Sequence, residues 1–200
     1  IFLNSLRRKI KKRSAITAGN FTNTILSPKN SFSISPEMCA KVPDGKIDLM
    51  FAGNIGVAQS VETILHAAAE LKNEKNLFFH IVGDGVKLKD CRHLAKKFDL
   101  QNVKFYGRLP LKEMPSIYKK ADAMLITGDK GVISYTLPGK VQGYMSAAKP
   151  IIGAIDGETP RVIEKANCGF CGAALNAEEL KNNILKFIAT EDKKTLGDNG

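Results

Sequence analysis

The sequence predicts an α/β protein, a Rossmann-like doubly wound parallel sheet of about six strands with helices on both faces. Short apolar runs alternate with amphipathic stretches from residue 46 nearly to residue 200. The runs are apolar on both sides, which is typical of parallel strands covered by helices on both faces. An apolar fraction of 44% and a charged fraction of 25% are those of a globular protein with a packed core.

Six apolar runs predict the strands. They are Ile47–Ala52, Leu77–Val82, Val103–Tyr106, Ala123–Ile126, Ile151–Ile155 and Gly169–Gly172. Apolar residues three or four apart predict a helix after each strand. The helix after the fourth strand is expected at 138–147, because Pro138 suits the first turn of a helix, and the next at Thr159–Ala166.

Residues 1–45 differ in composition and are predicted to be a basic linker or the remnant of a preceding domain, with residues 46–200 as the Rossmann-like domain. Residues 1–46 carry nine Lys and Arg against two acids, and most of this charge lies in Arg7–Arg13. Such a run favours a solvated tail, with peripheral contact to anionic lipid as an alternative. Nucleic acid is not expected as a partner, because no aromatic residues interleave with the charge. Since the sequence begins with Ile1, we expect a piece of a longer protein.

Cysteine and histidine usage gives no signal of metal or redox chemistry. Cys168 and Cys171 have the spacing of a zinc or redox pair, but no second pair accompanies them, so both are predicted to be small buried residues. The histidines are scattered and are predicted to be structural. Without an apolar run long enough to span a membrane, a cytoplasmic location is expected, with membrane association as an open alternative.

Ligands of a parallel α/β sheet bind outside the carboxyl ends of its strands, where this sequence concentrates glycine and polar residues. Two turns are suited to present backbone N–H groups to a phosphate at the start of a helix, Gly53–Ser60 and Thr136–Lys140. The dinucleotide fingerprint, the phosphate loop and the nucleophile elbow are all missing from the sequence.

Five motifs follow one another in a characteristic order. They are Phe51–Gly56, Ile81–Gly85, Val103–Leu109, Tyr118–Ala123 and Pro138–Ile152. In this order they resemble the C-terminal domain of family 4 glycosyltransferases, which have the two-lobed GT-B fold. The resemblance covers about residues 46–200 and is greatest to the branch that makes capsule, O-antigen and related bacterial surface polysaccharides.

The resemblance implies a nucleotide-sugar-binding domain, the donor half of an enzyme whose N-terminal domain supplies the acceptor site. It further implies transfer with retention of configuration, no cofactor and no metal, and a fragment that is inactive alone. No catalytic residue is assigned. The residues expected to bind the nucleotide diphosphate sugar are Gly53, Asn54, Gly56, Gln59, Gly83, Arg108, Tyr135, Thr136, Pro138, Gly139, Lys140 and Glu158.

The sequence departs from the family pattern in two places. Many members have Arg and Lys in the first turn, where this chain has Asn54 and Gln59. Many also have two glutamates, where this chain has Tyr135 and Gly143. Replacement phosphate-binding charge is therefore expected from Lys140, Arg108 or Arg161.

The leading hypothesis is transfer of a sugar from a nucleotide diphosphate donor, UDP-linked, to a glycan or lipid-linked acceptor. One alternative is a nucleotide-sugar epimerase on the same scaffold, which needs carboxylates and a histidine around the cleft. The strand-end loops offer only Asp129, Asp156 and Glu158 for that role. The other alternative is a non-catalytic nucleotide-sugar-binding module, which the missing glutamates favour.

Overall fold

A computed structural model describes residues 46–131 and 137–200, and these residues form one six-stranded parallel sheet. The strands are β1 (Ile47–Ala52), β2 (Leu77–Val82), β3 (Val103–Gly107), β4 (Ala123–Thr127), β5 (Ile151–Ala154) and β6 (Gly169–Gly172). Their order in the sheet is β3-β2-β1-β4-β5-β6, and every neighbouring pair is parallel. The predicted fold class and all six predicted strands are confirmed.

Helices follow the strands in turn. They are α1 (Val61–Glu70), α2 (Leu88–Lys97), α3 (Met114–Lys120), α4 (Gly139–Ser146), α5 (Glu158–Ala166), α6 (Ala177–Ala189) and α7 (Lys193–Asp198). Short 3₁₀ turns precede α1 at Val57–Gln59 and α3 at Leu111–Glu113. The alternation of strand and helix thus continues through the described residues as the apolar spacing predicted.

The sheet separates two apolar layers, because successive side chains of a strand point to opposite faces. On β1, Leu49 and Phe51 pack in the layer with α1, α2 and α6. Met50 and Ala52 pack in the layer with α3, α4 and α5. Since both layers are buried, the strands are largely apolar at successive positions. This is the pattern that predicted them.

The strand order reverses between β1 and β4. The chain passes from β1 to β2 and β3 on one side, then returns to place β4, β5 and β6 on the other. Loops that leave two adjacent strands in opposite directions leave a crevice at the carboxyl ends of those strands. The fold therefore places its ligand crevice between the ends of β1 and β4.

Several predicted boundaries differ by one residue from the structure. Helix α4 covers Gly139–Ser146 instead of 138–147, and β5 ends at Ala154. The short helix α7 was not predicted; its start is capped by Asp192, whose carboxylate accepts from the Thr195 amide at 2.9 Å. The domain boundary at residue 46 stays a prediction.

Candidate functional site

The turn after β1, residues Gly53–Ser60, is called the β1 turn and is held by its own hydrogen bonds. The Gln59 side-chain oxygen accepts from the Gly56 amide at 3.2 Å and from the Asn54 side-chain amide at 3.0 Å. Asn54 is exposed and Gln59 half-buried. Asn54 and Gln59 therefore fix the shape of the turn and add no charge. They stand at the positions where many members of the family that the sequence resembles have basic residues.

The loop after β2 packs directly on this turn. Gly53 donates its amide to Val82 at 3.0 Å, and Ile55 donates to Asp84 at 2.8 Å. A Cβ built on Gly83 would lie 1.8 Å from the Gly53 carbonyl oxygen, and Gly83 has a φ of +140°. Glycine is thus required at position 83 by the approach of two backbones.

Lys140 lies in the first turn of α4 and reaches the end of β1. Its Nζ is 4.1 Å from the centre of the Phe51 ring, and a Cβ built on Gly53 would lie 3.2 Å from the same atom. The ammonium is buried and has no hydrogen-bond acceptor among the described residues. Burial lowers the pKa of Lys140 to about 8. This end of β1 therefore faces a desolvated ammonium that is still largely protonated at neutral pH.

Tyr144, one helical turn after Lys140, ties α4 to β1. Its hydroxyl donates to the Ala52 carbonyl at 2.9 Å and accepts from the Ala52 amide at 3.2 Å. The side chain is fully buried, and burial raises the pKa of the phenol well above its usual range. Because the hydroxyl stays protonated, both of its bonds to β1 persist across the physiological pH range.

The end of β4 is joined to the β1 turn. The Thr127 hydroxyl donates to the Gln59 carbonyl at 2.6 Å, and the Asp129 amide donates to the Ala58 carbonyl at 3.0 Å. These bonds cross the point where the strand order reverses. Both walls of the crevice are consequently fixed relative to each other.

The predicted site residues separate into three groups. Gly53, Gly56 and the pair Asn54 and Gln59 lie in the β1 turn, which faces the start of α4. The second group follows other strands, namely exposed Arg108 after the edge strand β3, and exposed Glu158 after β5, whose carboxylate is 3.7 Å from Arg161 in the next helical turn. Predicted residues Tyr135 and Thr136 lie outside the described residues, while Pro138 and Gly139 lead directly into Lys140.

A cavity of about 420 Å³ opens on the other side of the β1 turn, between α1 and the loop before α6. Its charged lining comprises Glu62, Glu70 and Asp129 against Lys87, with His66 beside them. Three carboxylates against one ammonium disfavour a phosphate. The lining of this cavity is therefore poorly suited to an anion.

A second buried polar cluster lies away from the crevice. His80 shares one hydrogen bond of 2.7 Å with Asp48 and another of 2.7 Å with Tyr106. Burial, and then the charge of Asp48, raise the pKa of Tyr106 to about 12. Both ring nitrogens of His80 are occupied, so its role is structural, as the sequence predicted.

The cysteines of the described chain are free thiols, with Cys91 and Cys168 buried and Cys171 half-buried. Burial raises the pKa of Cys171 to about 12, which disfavours the thiolate. In residues 46–131 and 137–200, no three His, Cys, Asp or Glu side chains converge in a metal-binding group. The helices of these same residues include none with the length and apolarity of a membrane span.

A doubly wound parallel sheet, with the buried Lys140 ammonium at the point where the strand order reverses, defines a Rossmann-like lobe. Comparison with known families identifies the lobe. The family model described as "Glycosyl transferases group 1" matches residues 40–200, and the chain belongs to this family. The family recognised from the sequence motifs is confirmed.

Two curated relatives are bacterial proteins named as glycosyltransferases. WbjE of Pseudomonas aeruginosa, named as a probable glycosyltransferase, is 33% identical over 128 residues, which are 63% of this chain and 32% of that protein. WcaI of Escherichia coli K12, a glycosyl transferase assigned to colanic acid biosynthesis, is 30% identical over 105 residues, 52% of this chain and 26% of that protein. The chain thus spans a third or less of the length of these relatives.

Solved structures share the fold at low identity. The C-terminal domain of LpcC, a group 1 family protein from Francisella tularensis, has a TM-score of 0.67 at 18% identity, covering 84% of this chain and 89% of that one. HepE from Anabaena, in complex with UDP-glucose, has a TM-score of 0.67 at 19% identity, covering 83% of this chain and 47% of that one. The lipopolysaccharide glycosyltransferase WaaG scores 0.66 at 17% identity, over 84% and 46%.

Proposed function

We propose that this chain is the donor-binding lobe of a glycosyltransferase that transfers a sugar from a UDP-linked donor to a glycan or lipid-linked acceptor. We further propose that transfer retains the anomeric configuration and needs no metal, with the acceptor site on another part of the protein. The single observation that supports donor binding best is the buried Lys140 ammonium at the start of α4, which has no hydrogen-bond acceptor within residues 46–131 and 137–200.

A diphosphate supplies what this crevice lacks. Its oxygens can accept from the Lys140 ammonium and from backbone N–H groups in the first turn of α4, where the helix dipole also favours an anion. HepE, which shares the fold, has been solved with UDP and with UDP-glucose. These observations favour a diphosphate at the α4 start, beside the β1 turn.

The same contacts would contribute to catalysis. When the bond between sugar and diphosphate breaks, negative charge accumulates on the departing diphosphate. A fixed ammonium and fixed N–H donors stabilise that charge more than they stabilise the bound donor, which lowers the barrier. In this proposal Lys140 replaces the basic residues that are absent from the β1 turn.

The proposal is tested by calorimetric titration of the 200-residue chain with UDP and UMP. UDP should bind at least tenfold more tightly, because its second phosphate reaches Lys140. Lys140→Met should weaken UDP binding about 10- to 100-fold, the range for a hydrogen bond to a charged group, and should leave UMP binding nearly unchanged. Equal affinities of the wild-type chain for UDP and UMP would contradict the proposal.

Lys130 provides a matched control. It lies in the loop after β4 at the same end of the sheet, but its side chain is exposed. Lys130→Met removes the same charge from the same region, so a fall in UDP affinity equal to that of Lys140→Met would indicate a diffuse electrostatic effect. Transfer of sugar, its stereochemistry and an epimerase activity are then distinguished by product analysis with the full-length protein.

We also propose peripheral contact with an anionic membrane at the cytoplasmic face. The run Arg7–Arg13 lies outside the described residues, but α2 and β3 present a second basic surface. Residues 86–108 carry seven Lys and Arg against two acids, whereas the other residues of 47–200 carry 14 against 16. The exposed basic side chains of this surface are Lys89, Arg92, Lys96, Lys97, Lys104 and Arg108.

The carboxylate of Asp90 on α2 does not neutralise this basic surface. Asp90 is 3.0 Å from Lys87, whose ammonium also lies 4.0 Å from Glu62. Helical geometry places Lys89, Arg92 and Lys96 on one stripe, which faces away from the buried Cys91. Each such cation contributes about 1 kcal/mol near an anionic bilayer.

Vesicle sedimentation tests this surface. The double variant Arg92→Glu/Lys96→Glu should lose binding to phosphatidylglycerol vesicles, whereas Lys186→Glu/Lys194→Glu, exposed on α6 and α7, should retain it. Equal loss in the two variants, or binding to DNA in place of vesicles, would contradict a membrane surface at α2 and β3.

A further inference from the structure

Strands β1 and β4 separate before they end. Their ladder comprises Leu49 with Ala123 and Met50 with Met124, while β1 continues to Ala52 and β4 to Thr127. Over the same length β4 stays paired with β5 up to Thr127 and Ala154. The gap at the reversal point is therefore a local opening between β1 and β4. Each of these strands stays paired with its other neighbour, β1 with β2 and β4 with β5.

The opening leaves the Ala52 backbone facing β4 without a strand partner. Gly53 and Ile47 donate their amides toward the β2 side, to Val82 and Asn76. Since amides alternate in direction along a strand, the Ala52 amide and carbonyl point to the β4 side. Both are bonded by the Tyr144 hydroxyl, at 3.2 and 2.9 Å.

Tyr144 and Lys140 are four residues apart and so lie on the same face of α4. Tyr144 is bonded to Ala52, and Lys140 contacts the residues on either side of Ala52, namely Phe51 and Gly53. The Phe51 ring belongs to the opposite apolar layer from Tyr144. The Lys140 ammonium reaches that ring beyond the last pair of the β1–β4 ladder, Met50 with Met124.

We propose that Tyr144 is a positioning residue for donor binding: its hydroxyl takes the place of a strand partner at Ala52, keeps β1 and β4 apart, and fixes Lys140 beside Gly53 in the gap. This inference rests on the proposed function, since it concerns the diphosphate site. A phenylalanine would fill the same volume but leave both polar groups of Ala52 without a partner, which favours closure of the gap or entry of water.

The test uses Tyr144→Phe and compares affinities for UDP and UMP by calorimetry. The variant should lose UDP affinity about tenfold, with UMP affinity nearly unchanged, because only the second phosphate depends on the position of Lys140. Tyr118→Phe is the matched control. The Tyr118 ring packs edge-on against Tyr144 with centres 5.6 Å apart, and the structure gives its hydroxyl no bond to β1.

The pH profile separates positioning from a general structural role. In the wild type the ratio of UDP to UMP affinity should fall as pH rises through about 8, because Lys140, which lies beside the uncharged Phe51 and Gly53, loses its proton there. Taking the ratio removes the effect of titration of the uracil base, which UDP and UMP share. In Tyr144→Phe water reaches the ammonium, so the midpoint should move at least one pH unit upward. A role in packing alone would leave it in place.

If Tyr144→Phe keeps the wild-type ratio of UDP to UMP affinity and the wild-type midpoint of its pH dependence, this inference is overturned and the donor-binding proposal stays intact. A wild-type chain without preference for UDP would instead refute the proposed function. If the variant does not fold, hydrogen exchange at the Ala52 amide of the wild-type chain gives the second readout. It should slow when UDP binds but not when UMP binds, and an unchanged rate with UDP would also overturn the inference.

Discussion

His80 and Lys140 are both buried beside the sheet, yet their surroundings are opposite. His80 lies within β2 and has a partner on each ring nitrogen, with Asp48 on β1 and Tyr106 on β3. Lys140 lies over the end of β1 and has no acceptor among the described residues. The first arrangement joins three strands and satisfies both ring nitrogens, whereas the second is completed by an anion in the proposed function. The contrast separates a polar group used for folding from one retained for a ligand.

The largest effect is expected from breaking the complete cluster. His80→Ala should destabilise the domain by about 3–5 kcal/mol, because it leaves the buried Asp48 carboxylate without its partner. Urea unfolding followed by circular dichroism measures the change. UDP affinity of the folded fraction should stay within twofold of wild type, and a selective loss of UDP binding would place His80 in the ligand site.

Removal of the Lys140 charge should change the stability of the domain in the opposite direction from removal of His80. Lys140→Met keeps an apolar chain of similar length and removes a buried charge, so it should stabilise the ligand-free domain. Each unit of pKa shift corresponds to about 1.4 kcal/mol. With the pKa of Lys140 lowered from 10.5 to about 8, and part of its side chain exposed, we expect a gain of roughly 1–3 kcal/mol. A destabilised Lys140→Met domain would contradict an unpaired cation.

The pH dependence of that gain follows from linkage. Below pH 8 Lys140 is charged in both the folded and the unfolded chain, so the folded state carries the full cost of the buried charge. Between pH 8 and 10.5 the folded chain binds fewer protons than the unfolded one, and stability rises with pH. The advantage of Lys140→Met should therefore be greatest below pH 8 and shrink toward pH 10. Urea titrations at pH 7 and 10 measure this.

The sheet could be predicted from sequence because each strand carries its own signal. Buried parallel strands are apolar at nearly every position, and all six were predicted. Three have the predicted bounds unchanged, and the other three differ by one residue at their carboxyl ends. Helix α7 was missed because only Leu196 and Gly197 of its six residues are buried, too few to form a period. The strand order depends on contacts between distant residues, which a local pattern does not contain.

The site could be predicted only in part. Lys140 was chosen for its place after Pro138 and Gly139, but its burial against Phe51 depends on the separation of β1 from β4, which no local pattern encodes. Gly83 was assigned to the ligand, whereas the structure gives a steric reason for this glycine. Tyr144 was read only as part of a motif; its spacing of four from Lys140 was the available signal.

A smaller effect should follow from loosening the β1 turn. Gln59→Ala removes the oxygen that accepts from Gly56 and Asn54, and should cost about 0.5–1.5 kcal/mol, the range for one hydrogen bond with partial exposure. We expect UDP and UMP affinity to fall together, since the whole turn moves. Asn54→Ala, which removes only the exposed bond, should cost less. A fall confined to UDP would indicate that Gln59 contacts the second phosphate directly.

The smallest effect on stability is expected at Glu158, whose partner Arg161 is exposed like itself. Such an ion pair contributes little, so Glu158→Gln should change the unfolding free energy by less than about 0.5 kcal/mol, and Arg161→Gln by a similar amount. Glu158 begins α5 after β5, the neighbour of β4 on the side of the gap away from β1. From there a carboxylate is placed to meet the sugar of a donor whose diphosphate lies at Lys140. Glu158→Gln should then weaken binding of UDP-glucose to the full-length protein about fivefold while UDP affinity is unchanged, and Arg161→Gln should alter neither. If both variants bind UDP-glucose as the wild type does, Glu158 belongs to the solvated surface, and recognition of the sugar lies in residues closer to the crevice.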